Sequence, residues 1–488
     1  MVDACDVLII GAGPTGAVLA ALLGQAGVKT VLVDRAPNVY PLPRAAHIDH
    51  EIVRILQQLG VAEEVMAVSR PAEQYDFLTA DRQVLLRFLT RGSPSGWPAA
   101  NMIHQPSVEA AIRRRIEDLT PLEMRLEWNL LDLEDAADGV TARFETPEGE
   151  KKIRARYLVG ADGASSRVRT LIGAKVEDLK FDEPWLVIDT VVHDPARLPD
   201  INLQICDPAR PTTCVMMGSG RHRWEFMIRP GESLDTMLDD EVIAGLLAPW
   251  NVEGAVTLER KAVYRFHALI AETWRAGGVF LAGDAAHQTP PFAGQGMCAG
   301  IRDAANLAWK LAAVLKGQAG EALLDTYETE RRPHVRSVID LALMMGRTVC
   351  ILDPAAAAQR DAAMLAQRAA APPDAPGQGN PMTPLGGPAV LAGSPGAGEL
   401  FIQPWSADQK WDDVAGDGAW LITRETVDPA PGISVFRLGD PGLAAFAGDF
   451  STWLGKRGAD SVLVRPDRHV FGTGPAAQLV KAWTSALS

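Results

Sequence analysis

Apolar residues in this chain follow two rhythms that alternate from the start. A compact apolar run at residues 6–10 reads as a buried strand, and residues 17–26 continue as a helix. Residues 31–33 read as a second strand. Ile52, Val53, Ile55, Leu56 and Leu59 recur at helical spacing. A further helix is expected over 107–116, with Ser107 at its N-cap. Residues 73–100 alternate weakly and contain a loop at 91–98. Residues 125–157 alternate around two polar turns, Ala137-Asp138-Gly139 and Pro147-Glu148-Gly149, as an antiparallel meander does. Buried-type strands return at 157–159 and 277–282, and the helical period fills 302–348. Between them, 185–192, 201–205, 214–217 and 224–228 read as strands, with short helical stretches over 234–247. Residues 354–398 are rich in Ala, Pro and Gly, as a helix-and-linker segment would be. Strands are expected again at 418–422, 433–437 and 461–464.

Composition narrows this picture. A chain of 488 residues has room for two or three domains and a large core. At 47% hydrophobic and 22% charged it is an ordinary globular sequence. A net charge of −14 argues against nucleic acid and anionic membranes as partners, though a local arginine cluster could still take a small anion. The five cysteines (Cys5, Cys206, Cys214, Cys298, Cys350) are odd in number and lack C-x-x-C spacing, which points to a reducing compartment and away from zinc. No long apolar run suggests a membrane span, and the first apolar run leads straight into glycines, unlike a signal peptide. A cytoplasmic location is expected.

The chemistry concentrates where buried strands meet helices. Gly11-Ala12-Gly13-Pro14-Thr15-Gly16 lies between the first strand and helix, and Asp34-Arg35 closes the second strand. This is a dinucleotide fingerprint in its proper context: Gly11 for the tight turn, Gly13 for approach of a pyrophosphate, Gly16 for helix–strand packing, Asp34 for ribose hydroxyls. It does not separate FAD from NAD. A second acidic glycine joint runs through Asp162-Gly163 to Ser166, Arg167 and Arg169. A third begins at Gly283-Asp284, continues through the stiff Pro290-Pro291 pair, and reaches Gly294-Gln295-Gly296-Met297 and Gly300 at a helix start. Asp284 could accept a bond from a sugar hydroxyl, and the helix start favours an electron-rich ring that becomes anionic on reduction. Three such loops suit a longer, tricyclic cofactor better than NAD alone. Arg44 is either an anion or flavin contact or a solvated charge. Gln105 is either a ligand contact or a loop amide. His47 and His50, beside Asp49 and Glu51, could titrate near neutral pH or simply form a polar helix start. His222, Arg223 and His267 are polar candidates of equally open role.

The three motifs, in this order and spacing, resemble the FAD-dependent aromatic monooxygenases of the p-hydroxybenzoate hydroxylase type (class A) over about residues 1–350. The resemblance implies an α/β fold: a doubly wound, Rossmann-like FAD-binding domain (1–180 plus 262–350), an inserted β-sheet substrate domain (181–261), a helix and linker (351–398), and a C-terminal thioredoxin-like domain (399–488) that here has no redox cysteine. It implies FAD contacts at Gly11, Gly13, Pro14, Thr15, Gly16, Asp34, Arg35, Arg44, Gln105, Asp162, Gly283, Asp284, Pro291, Gly294, Gln295, Gly296 and Met297. Shorter segments, among them Gly96-Trp97-Pro98, Gln105-Pro106 and Arg465-Pro466-Asp467-Arg468, are similar to the 3-(3-hydroxyphenyl)propionate 2-hydroxylases. That narrower likeness implies NAD(P)H, with NADH favoured, O2, and hydroxylation of a phenolic acid ortho to its hydroxyl through a C4a-hydroperoxyflavin. Two departures, His47 where a glycine is usual and a different loop at 288–292, leave the phenol open. His47 or His50 is expected as the base that ionises it. A monomer or homodimer is expected. The rivals are a polycyclic polyketide hydroxylase, a flavin halogenase (although no W-x-W-x-I motif is present), a saturating reductase on the same fold, and a non-catalytic FAD-binding or scaffold protein.

Overall fold

The computed structural model describes residues 3–370, 382–406, 409–428 and 430–488. The strand Asp3–Ile10 lies inside the first sheet, with Thr30–Asp34 and Gly149–Gly160 parallel on either side. Leu122–Leu126 and Val279–Leu281 extend it in parallel, and the 129–160 meander hangs from Gly149–Gly160. Val7, Leu8, Ile9 and Leu158, Val159 are fully buried, because helices cover both faces, so these strands read as continuous apolar runs. Parallel strands also place their C-terminal ends side by side, which is where the glycine joints lie.

The second sheet has eight strands, two of them 17 and 16 residues long, Val176–Val192 and Val256–Ala271. The weakly patterned 73–100 region supplies two of its strands. Gln74–Leu78 pairs in parallel with Asn202–Ile205, and Val84–Leu89 forms the edge. Most of that edge strand is half-buried on both faces, so no clean alternation could mark it. The short strand His287–Gln288 pairs with Leu269 and Ile270, so the third glycine joint is stitched to this sheet. The helix expected from Ser107 begins earlier, as Gln105–Glu117, because Pro106 fits the first turn, where no N–H is needed. Ser107 bonds the His104 ring at 2.8 Å instead of capping.

Helices Gly296–Leu315 and Ala322–Val349 follow, then Pro354–Ala370. Part of the expected helix-and-linker segment, 371–381, lies outside the described residues. The last unit has a four-stranded sheet in the order Ile433–Arg437, Ala419–Thr423, Ser461–Val464, Val470–Thr473. The first two strands are parallel and the other pairings antiparallel. It docks on the rest through buried charge: Arg465 to Glu330 at 2.8 and 3.0 Å, and Arg54 to Asp412 at 2.7 and 2.8 Å.

Candidate active site

The three glycine joints meet. Gly11 has φ +104°, and a Cβ there would lie 2.4 Å from the carbonyl oxygen of Ala161, in the second joint. A Cβ on Gly16 would lie 1.9 Å from the Gly11 carbonyl. Gly283 and Gly300, at the two ends of the third joint, both press on Thr15, where a Cβ would stand 2.6 and 2.3 Å from its Oγ1. Gly13 differs from these four, since a Cβ there would meet nothing within 4 Å. It sits directly before helix Pro14–Gln25, whose N-terminus has no side-chain cap and carries Pro14 in its first turn. Open space against an uncapped helix start is what a pyrophosphate requires.

The acids around this groove divide by partner. Asp34 accepts from the amides of Ala12 at 2.6 Å and Ala36 at 2.8 Å and is half-buried, which leaves lone pairs available. Arg35 is exposed. Asp162 is occupied with its own turn, accepting from Ser166 Oγ at 2.5 Å and from the amides of Arg167 at 2.6 Å and Val168 at 3.1 Å. Asp284 differs. The residue is exposed, yet loss of water to the surrounding protein pushes its pKa up. No side chain bonds it among the described residues. Its turn is held from behind by Asp303, which accepts from the Gly283 amide at 3.0 Å, from His287 at 2.7 Å and from Arg331 at 2.9 Å.

A cavity of about 670 Å³ lies between the second sheet and the 291–297 loop. His47, His50, Pro291, Gly294 and Met297 line it, as do Glu225 and Arg223 from the second sheet. The Arg44 segment lines it too and is fixed by backbone bonds. Gln105 Oε1 accepts from the amides of Arg44 at 3.0 Å and Ala45 at 2.6 Å. Arg223, ion-paired to Asp189 at 2.6 Å, donates to the carbonyls of Arg44 at 2.7 Å and Pro43 at 2.8 Å. Gln105 therefore serves as a loop amide whose bonds set where Arg44 stands. The exposed Arg44 guanidinium lies 4.7 Å over the Tyr40 ring.

His47 Nδ1 is 3.1 Å from the carbonyl of Gly294. A carbonyl only accepts, so Nδ1 carries the hydrogen and, in the neutral ring, Nε2 is the free base. Burial lowers the His47 pKa, which keeps that ring neutral. His50 Nδ1 bonds Ser95 Oγ at 2.9 Å, and burial lowers its pKa as well.

Sequence reasoning missed the group that joins the two halves of this wall. Arg302, on helix Gly296–Leu315, donates to Glu51 at 2.6 Å, to Gln295 Oε1 at 2.9 Å and to Asp49. Asp49 in turn caps helix His50–Gln58, accepting from the amides of Glu51 at 3.1 Å and Ile52 at 3.2 Å. The available signal was the Arg302-Asp303 pair, two charges inside an otherwise apolar, fully buried helical stretch.

Comparisons with known proteins agree with this geometry. The family described as FAD binding domain matches residues 4–342. A probable NADH-specific resorcinol 4-hydroxylase of Rhodococcus jostii is 36% identical over 499 residues, covering 96% of this chain and 92% of that protein. A 3-(3-hydroxy-phenyl)propionate/3-hydroxycinnamic acid hydroxylase of Mycolicibacterium smegmatis is 38% identical over 359 residues, 73% of this chain but only 64% of that longer protein. Among solved structures, a ternary complex of aklavinone-11 hydroxylase with FAD and aklavinone superposes with a TM-score of 0.79 at 26% identity, covering 100% of both chains.

Proposed function

The chain belongs to the FAD binding domain family, and on that premise we propose that it is an FAD-dependent monooxygenase that hydroxylates a small phenol ortho to its hydroxyl. The observation that carries the reading is His47, a neutral base with its free nitrogen fixed by Gly294, in the wall of the cavity beside the 291–297 loop. FAD, when bound, supplies electron transfer from the nicotinamide and activation of dioxygen. The residues here fit that cofactor. The amides at the start of helix Pro14–Gln25 and the space at Gly13 would take the pyrophosphate, Asp34 the adenosine ribose, and Asp284 the ribityl hydroxyls. The 291–297 loop and the start of helix Gly296–Leu315 would hold the flavin ring. His47 Nε2 accepts the phenol proton, which makes the ring carbon ortho to the oxygen more nucleophilic. The cavity walls exclude water from the reacting atoms. NADH is the proposed reductant, in line with the name of the Rhodococcus relative.

We read the C-terminal unit as thioredoxin-like by strand order, and its sequence has no cysteine. Its buried ion pairs with the rest of the chain suit a structural role.

The test is oxygen-coupled NADH oxidation by the FAD-loaded protein over a panel of phenols, with product and hydrogen peroxide both quantified. A hydroxylated product in step with NADH consumed is expected. FAD binding without turnover on any phenol would return weight to a non-catalytic flavoprotein.

Gly13→Ala separates fit from folding. Its added methyl meets no protein atom, so the melting temperature of the apoprotein should stay within a few degrees of the parent, while FAD affinity falls about tenfold or more. Gly16→Ala, whose methyl would overlap the Gly11 carbonyl, should lose both. Equal FAD affinity for Gly13→Ala and the parent would remove Gly13 from the pyrophosphate site.

A further inference from the structure

We propose that Glu225 sets substrate specificity in this cavity: its carboxyl group accepts a hydrogen bond from a second hydroxyl on the ring and turns away ring substituents that carry a carboxylate. This rests on the phenol-hydroxylase reading of the same site.

Glu225 lies on strand Arg221–Met227, paired across to Thr213 and Val187, and its side chain lines the cavity while only 8% of the residue is exposed. Its carboxyl group makes no hydrogen bond among the described residues. The cation beside it is Arg223, at 3.7 Å. Arg223 cannot offer much more, because its hydrogens are taken by Asp189 at 2.6 and 3.0 Å and by the carbonyls of Arg44 and Pro43. A buried carboxyl group without partners is costly unless something supplies them. Burial accordingly pushes its pKa up.

The neighbouring hydroxyls have the same bias. Thr213 donates its hydrogen to Gln204 Oε1 at 2.8 Å, and Tyr75 donates to the same oxygen at 3.2 Å. Both retain only lone pairs for a ligand. The sheet strands thus present acceptors to the cavity at Glu225, Thr213 and Tyr75, and His47 Nε2, from another element of its lining, is an acceptor as well. A ligand that satisfies both must bring a donor to each. A neutral benzene with two hydroxyl groups does so. A phenol with an anionic side chain brings one donor and a charge, and the two arginines buried in the cavity walls are engaged, although the exposed Arg44 and Arg91 also line it. Arg302 is held by Asp49 and Glu51, and Arg223 by Asp189. A site built to pair with a substrate hydroxyl rejects the analogue that lacks it more strongly than an apolar pocket rejects a missing methyl group.

The experiment titrates FAD-loaded protein with resorcinol, 3-methoxyphenol and 3-(3-hydroxyphenyl)propionate, and reads dissociation constants from the flavin absorbance. The parent is expected to bind resorcinol about tenfold more tightly than 3-methoxyphenol, which has lost one donor. Glu225→Leu should shrink that ratio to about twofold while leaving 3-methoxyphenol within about twofold of the parent. Glu225→Gln removes the charge and keeps an acceptor, so it should retain most of the resorcinol preference and bind the acid several-fold more tightly. A parent that binds the acid more tightly than resorcinol overturns the proposal, as does a Glu225→Leu protein with its tenfold ratio intact. If Glu225→Leu does not hold FAD, an unchanged acid-to-resorcinol ratio in Glu225→Gln overturns it, and a narrowed one supports it. These affinities do not depend on turnover. Selective resorcinol binding without NADH-coupled hydroxylation would leave Glu225 as the selector and sink the phenol-hydroxylase reading alone.

Discussion

Replacing His47 with alanine should slow hydroxylation about 10²- to 10³-fold, the usual range for loss of a positioned general base, and leave reduction of the bound flavin by NADH within about threefold. The geometry gives the reason for the split. Reduction needs the nicotinamide and the flavin, which His47 does not serve, whereas oxygen transfer needs an ionised phenol. NADH oxidation should then run on to hydrogen peroxide, because a ring that keeps its proton is a poor acceptor of oxygen. The pH profile provides an independent check. Burial lowers the His47 pKa below its ordinary value of about 6.5, so the base form is already in place at neutral pH. Hydroxylation in the parent should be level from neutral pH upward and fall on acidification with an apparent pKa below that value. The inflection should vanish in His47→Ala. The same shift acts on stability: below about 6.5 the unfolded chain takes the proton that the folded ring resists, so this residue favours unfolding as the pH drops. Single-turnover oxygen transfer at the parental rate in His47→Ala would assign the proton to another group, with His50 next in line.

How much of this could be read from the chain depended on whether the controlling interactions were local. The glycine joints were legible because their requirements are backbone requirements. Gly11 needs positive φ and Gly16 needs a missing side chain, and sequence spacing expresses both. That the three joints could converge on one extended cofactor was legible, but the contacts that bring them together, Ala161 against Gly11 and Gly283 and Gly300 against Thr15, were not, since they follow from packing across nearly 300 residues. Gln105 and Arg223 stood out as polar residues, but their work on the Arg44 loop depends on where the second sheet lies over the first. The strand Val84–Leu89 was hidden because half-burial on both faces leaves no period to detect, and Gln74–Leu78 because its buried residues run consecutively and include Asp76. Glu225 was hidden for the opposite reason. On a strand of buried residues one acid reads as an interruption, and only the cavity in front of it gives it a use.

Arg302→Met should be among the most destabilising single changes in the chain, at about 3–5 kcal/mol, the range for removing one partner of a buried ion pair. The arginine is 3% exposed, and its three nitrogens reach Glu51, Gln295 and Asp49. Without it, two carboxylates two residues apart at one helix start share a buried site. The Arg302 charge holds both their pKa values down against burial. Removing it reverses that shift, and one of the pair must take up a proton or bring in water. The sign of the pH dependence follows. In the parent, the stability from Asp49 and Glu51 is present above the ordinary carboxylate range and is lost as the pH falls through their lowered values. In Arg302→Met the penalty of burying the same charges eases as they protonate. The two stability curves should therefore lie farthest apart near neutral pH and converge toward pH ~4. Arg302→Lys should fall between them, because one ammonium cannot bond both acids and the Gln295 amide at once. Chemistry should suffer in parallel, since Gln295 lies in the 291–297 loop and Asp49 two residues from His47. A slack loop should shift reducing equivalents from product to peroxide even where FAD remains bound. A loss below about 1 kcal/mol that does not vary with pH would mean that the loop and the histidine segment are held together by packing alone.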